Sequence, residues 1–132
     1  MKKITKITKI TENKGNARIW IQNDVDVENH GFTNGAVFTK AYTDKTVKLK
    51  LTGLRRTKGN GVDAEYKKKH GLPSDSSKVS TTDRGSTIDI GNKKVSEIAD
   101  INNVRGCYIP FELLVDRDSN LNSIVFRFNK AS

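Results

Sequence analysis

Three carboxylates alternate along the chain at Asp24, Asp26 and Glu28. On a strand that spacing would turn all three to one face, where they could hold Mg²⁺ for phosphodiester cleavage; at a turn or helix start they would simply favour the positive helix end. The histidines are His30 and His70. Neither has an acid at a spacing that builds a general-base pair, and His30, just before Gly31, suits the negative end of a helix. Cys107 opens an apolar run and reads as a small buried hydrophobe rather than a nucleophile. Asp116, Asp118 and Asn120 resemble the opening of a calcium loop but lack its glycine and distal glutamate, so a hairpin turn is expected. The chemistry therefore points away from an enzyme: no catalytic residue, no metal and no cofactor is expected.

What the chain has in excess is positive charge. Lys and Arg number 24 against 15 Asp and Glu over 132 residues, a formal net charge of +9. Residues 40–69 hold ten basic and three acidic side chains, which is +7 of that +9. The segment contains Lys48 and Lys50, then Arg55, Arg56 and Lys58, then Lys67, Lys68 and Lys69. Such clustering is the electrostatic footprint of a polyanion binder, since each cation that meets a phosphate releases condensed counterions. Solubility alone would be served by an even spread. These eight residues are the candidate nucleic-acid contacts, with Arg55 and Arg56 the only ones expected to read bases. Tyr42 and Tyr66 lie in or near the basic segment and are candidates for stacking or phosphate hydrogen bonds.

The elements that must position these residues are mostly strands. Lys-Ile-Thr occurs three times between Lys3 and Thr11, with Ile4, Ile7 and Ile10 at a period that fits neither strand nor helix. Residues 1–16 are therefore expected as a flexible basic arm, with an added strand as the other possibility. A single barrel domain follows over 17–132. Its first half, 17–53, begins with the alternating run Ala17–Ile21, in which Trp20 faces away from Ile19 and Ile21 and can stack on a base or pack under a loop. A turn or short helix to His30 is closed by Gly31, an Asn34-Gly35 turn follows, and two strands end at Thr52. In the second of these, Val47, Leu49 and Leu51 oppose Lys48 and Lys50. Residues 54–85 are polar, rich in Gly and Ser, and expected as a mobile basic loop, with Val62–His70 patterned for a short helix. The second half, 86–132, repeats strand, short helix, strand, turn, strand.

From Arg18-Ile19-Trp20-Ile21 through Gly31-Phe32-Thr33-Asn34-Gly35 to Val47–Leu51, the chain resembles the AbrB-like swapped-hairpin superfamily, and within it SymE-like domains. The resemblance implies a mainly β fold with short helices: a small barrel of two AbrB-like β-α-β-β units held in one chain as a pseudo-dimer. It also implies a DNA-binding regulator, with DNA favoured over RNA as partner, and carries over no individual contact residue. An acidic protein surface, of the kind small phage or mobile-element inhibitors engage, is the alternative partner, and an RNA-acting SymE-like toxin a further one. Either a monomeric pseudo-dimer or a homodimer fits. No run approaches the roughly 18 apolar residues of a membrane span, and the basic start lacks a signal-like apolar stretch. A cytoplasmic location without membrane contact is expected.

Overall fold

Alternation decides most of the strands in the computed structural model, which describes residues 2–59, 61–82 and 85–131. The elements in order are β1 (Lys2–Asn13), β2 (Asn16–Gln22), α1 (Val25–Asn29), β3 (Ala36–Tyr42), β4 (Thr46–Arg55), α2 (Ala64–His70), β5 (Ser77–Lys78), β6 (Ser80–Thr82), β7 (Gly85–Gly91), α3 (Lys93–Ile101), β8 (Tyr108–Val115) and β9 (Ser123–Arg127). All neighbouring strands pair antiparallel, in the order β5-β3-β4-β9-β8-β1-β2-β7-β6. The two ends of that order are separated in sequence only by Val79. One short stretch of chain thus borders both β3 and β7, and the sheet forms a nearly closed barrel.

The barrel interior is filled by the inward residue of each alternating pair: Ile19 and Ile21 from β2, Val47, Leu49 and Leu51 from β4, Ile109, Phe111 and Leu113 from β8, Ile124 and Phe126 from β9. Phe111 and Phe126 meet with ring centroids 5.4 Å apart. Lys48 and Lys50 point outward, as the strand period requires. Asp24 caps α1, accepting from the N–H groups of Asp26 and Val27, and Asn92 caps α3 through the Val95 N–H. α3 lays Val95, Ile98 and Ala99 into the core. Gly31 follows α1 at φ +96°, the left-handed region expected of a glycine closing a helix.

Two sequence expectations are corrected. The opening stretch is the added strand rather than the flexible arm: Lys2–Lys9 pairs with β8 and Ile10–Asn13 with β2, so β1 lies inside the sheet. A three-residue repeat laid on a two-residue period sends its isoleucines to alternate faces, with Ile10 buried, Ile4 partly buried and Ile7 exposed. Lys6 falls among the inward positions, and its ammonium lies 2.9 Å from both Asp24 and Asp26. Those bonds, Asp26 first, raise its pKa above the ordinary lysine value.

The connection 54–85 is also more ordered than its composition suggests. Asp63 caps α2, and Gly71 at φ +64° closes it, within the range patterned for a short helix. Backbone bonds rather than apolar content organise the residues beyond this helix. Gly35 N–H donates to Val79 O at 2.8 Å, Val79 N–H donates to Ala36 O at 3.0 Å, and the Val79 side chain is fully buried. Lys78 Nζ donates to the carbonyls of Lys58 and Gly59, and Lys40 pairs with Asp75 at 3.0 Å. Residues 1, 60, 83, 84 and 132, which the sequence ranges also cover, lie outside the described residues.

The Gly35 and Val79 amides are expected to exchange with deuterium as slowly as those of β8, and Val79→Ala to cost about 2 kcal/mol. Exchange at loop rates would show that this seam does not hold the barrel.

Candidate functional site

The pairing registers place Lys48 and Lys50 in a wider charged surface. Lys50 is opposite Ser123, Lys48 opposite Val125, Glu112 opposite both Val125 and Thr5, and Leu114 opposite both Ser123 and Lys3. Arg127 is opposite Thr46, Ile7 opposite Pro110, and Lys9 opposite Tyr108. Since the alternate residues of these strands fill the core, all of these side chains lie on the outer face of β4, β9, β8 and β1. That face carries Lys3, Lys9, Lys48, Lys50 and Arg127 against one carboxylate, Glu112.

Glu112 is buried beneath the cations that flank it. Lys3 Nζ lies 2.9 Å from one carboxylate oxygen and Arg127 Nε 2.5 Å from the other. Lys3 first, and Arg127 with it, hold the Glu112 carboxyl below its ordinary pKa, against burial, which pushes it up. The pairing fixes two long cationic side chains on the sheet and leaves the face with a surplus of four positive charges, five cations against one carboxylate. Lys50 lies close enough to Asp116 to help lower that carboxyl, although the main cause is the Ser119 side chain bonded to it.

The other six sequence candidates lie at or beyond the end of β4 and on α2. The Arg55 guanidinium donates to Asn34 O and to Thr33 Oγ1, which ties it to the turn before β3. Arg56 reaches Asp63 at 3.4 Å and lies 4.9 Å over the Tyr66 ring, between two shallow clefts of about 320 and 250 Å³. Lys67 donates to Ser74 O, while Lys58, Lys68 and Lys69 are exposed. The eight candidates thus divide between a strand pair, Lys48 and Lys50, and the connector group. Lys3, Lys9 and Arg127, which share the face of the strand pair, are not among the sequence candidates. For Lys3 and Lys9 a partial signal is their shared parity once Lys2–Asn13 is read as a strand; Arg127 joins them only through the β4–β9 register.

Most of the remaining chemical candidates are engaged structurally. Asp24 and Asp26 stand at the start of α1 with the Lys6 ammonium between them. His30 Nδ1 donates to Asp26 O across the α1 C-terminus. Asp116 accepts from the N–H groups of Asp118 and Ser119, forming the turn before β9. Cys107 is half-buried against the core. Tyr42 is half-buried beside Asn92 and Lys94, and burial above all pushes its phenol up to about 12. Trp20 lies on the outer face of β2, with the Arg18 guanidinium 4.8 Å from its ring. Among the described residues no three His, Cys, Asp or Glu side chains gather to hold a metal ion, and no helix is long and apolar enough to cross a membrane.

Comparison of the chain with protein-family models, with curated proteins and with solved structures gives no match in any of the three.

The Glu112 contribution has a defined pH dependence. A carboxyl whose folded pKa is depressed stabilises the fold fully above its unfolded value, near 4.5, and loses that contribution as pH falls through the folded value. The Tm difference between wild type and Glu112→Gln is expected to be steady from neutral pH down to that unfolded value and to shrink below it. A difference that grows on acidification would contradict the pairing.

Proposed function

We propose that the protein binds nucleic acid, with the outer face of β4, β9, β8 and β1 as its principal phosphate-binding surface. The observation that carries this reading is the convergence of five cations and one carboxylate on four adjacent strands. Phosphate contacts to such a surface release counterions and give an affinity that falls steeply with salt. The connector cations Arg55, Arg56, Lys58, Lys67, Lys68 and Lys69 extend the surface toward α2. Of the two arginines, Arg55 is the more exposed, while Arg56 lines both clefts. DNA is the polymer that the resemblance to AbrB-like regulators favours.

The same proposal takes the barrel as two copies of one unit in a single chain. Matched backbone bonds support it. Ile10 N–H donates to Cys107 O and Gly106 N–H to Ile10 O; in the other half Val79 N–H donates to Ala36 O and Gly35 N–H to Val79 O. Leu51 N–H to Asn122 O is likewise matched by Phe128 N–H to Lys45 O. On this reading β1 corresponds to the β5–β6 stretch, β2 to β7, α1 to α3, β3 to β8 and β4 to β9, with α2 in an insertion between the copies.

A fluorescence anisotropy titration against DNA and RNA at several salt concentrations tests the function. Lys48→Ala with Lys50→Ala is expected to lower the slope of log affinity against log salt by about two units. Replacing Lys67, Lys68 and Lys69 together measures what the connector adds, with three units as its ceiling at about one per cation. Absence of binding, or a slope untouched by the strand pair, would remove the sheet face from consideration.

A further inference from the structure

Phosphate binding leaves one feature of the same surface unused. Among the described residues five large apolar side chains are exposed, and three of them, Ile7, Tyr108 and Trp20, lie near Lys9 at the join of β8, β1 and β2. Ile7 is 59%, Tyr108 54% and Trp20 41% exposed. Lys9 is opposite Tyr108 in the β1–β8 ladder, with its ammonium 5.9 Å from the ring centre. On its other side Ile10 is opposite Ile19; both are buried, so Lys9 and Trp20 flank that pair on the outer surface. In the strand order β8-β1-β2 the aromatic residues Tyr108 and Trp20 thus lie on either side of Lys9.

Charge complementarity settles the kind of occupant. The cations of this strip are Lys3, Lys9 and Arg18. Its carboxylates, Glu112 and Asp89, are already paired with Lys3 and Arg127 and with Arg18 respectively. A polymer with negative charge between flat apolar groups matches rings on either side of an ammonium. In a duplex the base faces are stacked on one another and are not offered to a protein surface; in a single strand they are.

We propose that this strip binds single-stranded nucleic acid, with bases stacked on Tyr108 and on Trp20 and the intervening phosphate held by Lys9. The Arg18 guanidinium, fixed by two bonds to Asp89, backs one side of the indole and leaves the other for a base. The inference rests on the nucleic-acid reading above and specifies its ligand as unpaired strand.

Trp20 is the only tryptophan of the chain, so its emission reports on the site without a label. The full chain is titrated with oligothymidylate and oligouridylate of about a dozen residues, a span one such surface can hold, and with a DNA duplex of the same length. Anisotropy is read in parallel. Saturable quenching of Trp20 by the single strands is expected, with weaker binding of the duplex. Tyr108→Ala is expected to weaken single-strand binding about tenfold while leaving the salt slope unchanged, and Tyr108→Phe to retain it. Lys9→Ala is expected to reduce the slope by about one unit. The two single strands separate DNA from RNA, and either result supports the proposal.

Binding seen by anisotropy with Trp20 emission unchanged and Tyr108→Ala as tight as wild type overturns the stacking while leaving the phosphate surface in place. Preference for the duplex does the same. No binding of any polymer defeats both proposals. A concentration-dependent dimer that Tyr108→Ala dissociates would assign the strip to a second copy of the chain and overturn this one.

Discussion

The arrangement depends on where two strands change partner. At Ile10 the first strand leaves β8 for β2, and at Val79 the stretch between β5 and β6 leaves β3 for β7. An open sheet would present a row of unpaired N–H and C=O groups at each edge, an expense a chain with 34% hydrophobic residues has little apolar burial to offset. Joining the edges through backbone bonds on both sides of Val79 reduces that cost. It also encloses one core that every long strand lines. With the closure set, period-two alternation leaves no freedom in which side chains face water, and the positions of Lys48, Lys50, Lys3 and Lys9 follow.

The carboxylates are disposed in a way that shapes the surface potential. Asp24 and Asp26 hold Lys6, Asp75 holds Lys40, Asp89 holds Arg18, and Asp100 with Glu12 holds Arg105. The more exposed of these pairs, Arg105 with Asp100 and Glu12, contribute little to stability. The larger effect of the whole set is to place acids beside particular bases, so that the surplus charge resides on the lysines left over. On the β4–β9–β8–β1 face even the single carboxylate lies beneath two cations, where it organises the side chains around it.

Much of the fold was legible because most strands are cleanly alternating and most turns carry their usual residues. Ala17–Ile21, Thr46–Thr52 and Ser123–Phe128 announce themselves by period, and Asn34-Gly35, Gly31 and the α3 cap Asn92 mark the ends between them. Two segments were opaque for a shared reason: backbone pairing, supplied by distant parts of the chain, decides them. The Lys-Ile-Thr repeat hides a strand whose partner lies at Tyr108–Val115, and the polar run before Gly85 hides the seam at Val79. The charged face was half legible. Lys48 and Lys50 show by their alternation, whereas Lys3, Lys9 and Arg127 join them only through registers that no local window contains. The connector's lysines weighed heavily in the sequence because they are consecutive, yet Lys67 is bonded within its own loop and Arg56 is paired with Asp63.

The pairing of Lys2–Lys9 with Tyr108–Val115 also bears on how the molecule comes into being. During synthesis the first of these strands leaves the ribosome long before its partner is made, and the hairpin at Ala36–Arg55 waits for β9 in the same way. The barrel therefore cannot close until β8 and β9 have emerged, with Ile4 and Ile10 uncovered meanwhile. Delayed pairings of this kind fold slowly and expose strands to aggregation. The lysines interspersed through that opening segment keep the waiting strand soluble by mutual repulsion, a service to the growing chain that is separate from anything they do once it is complete.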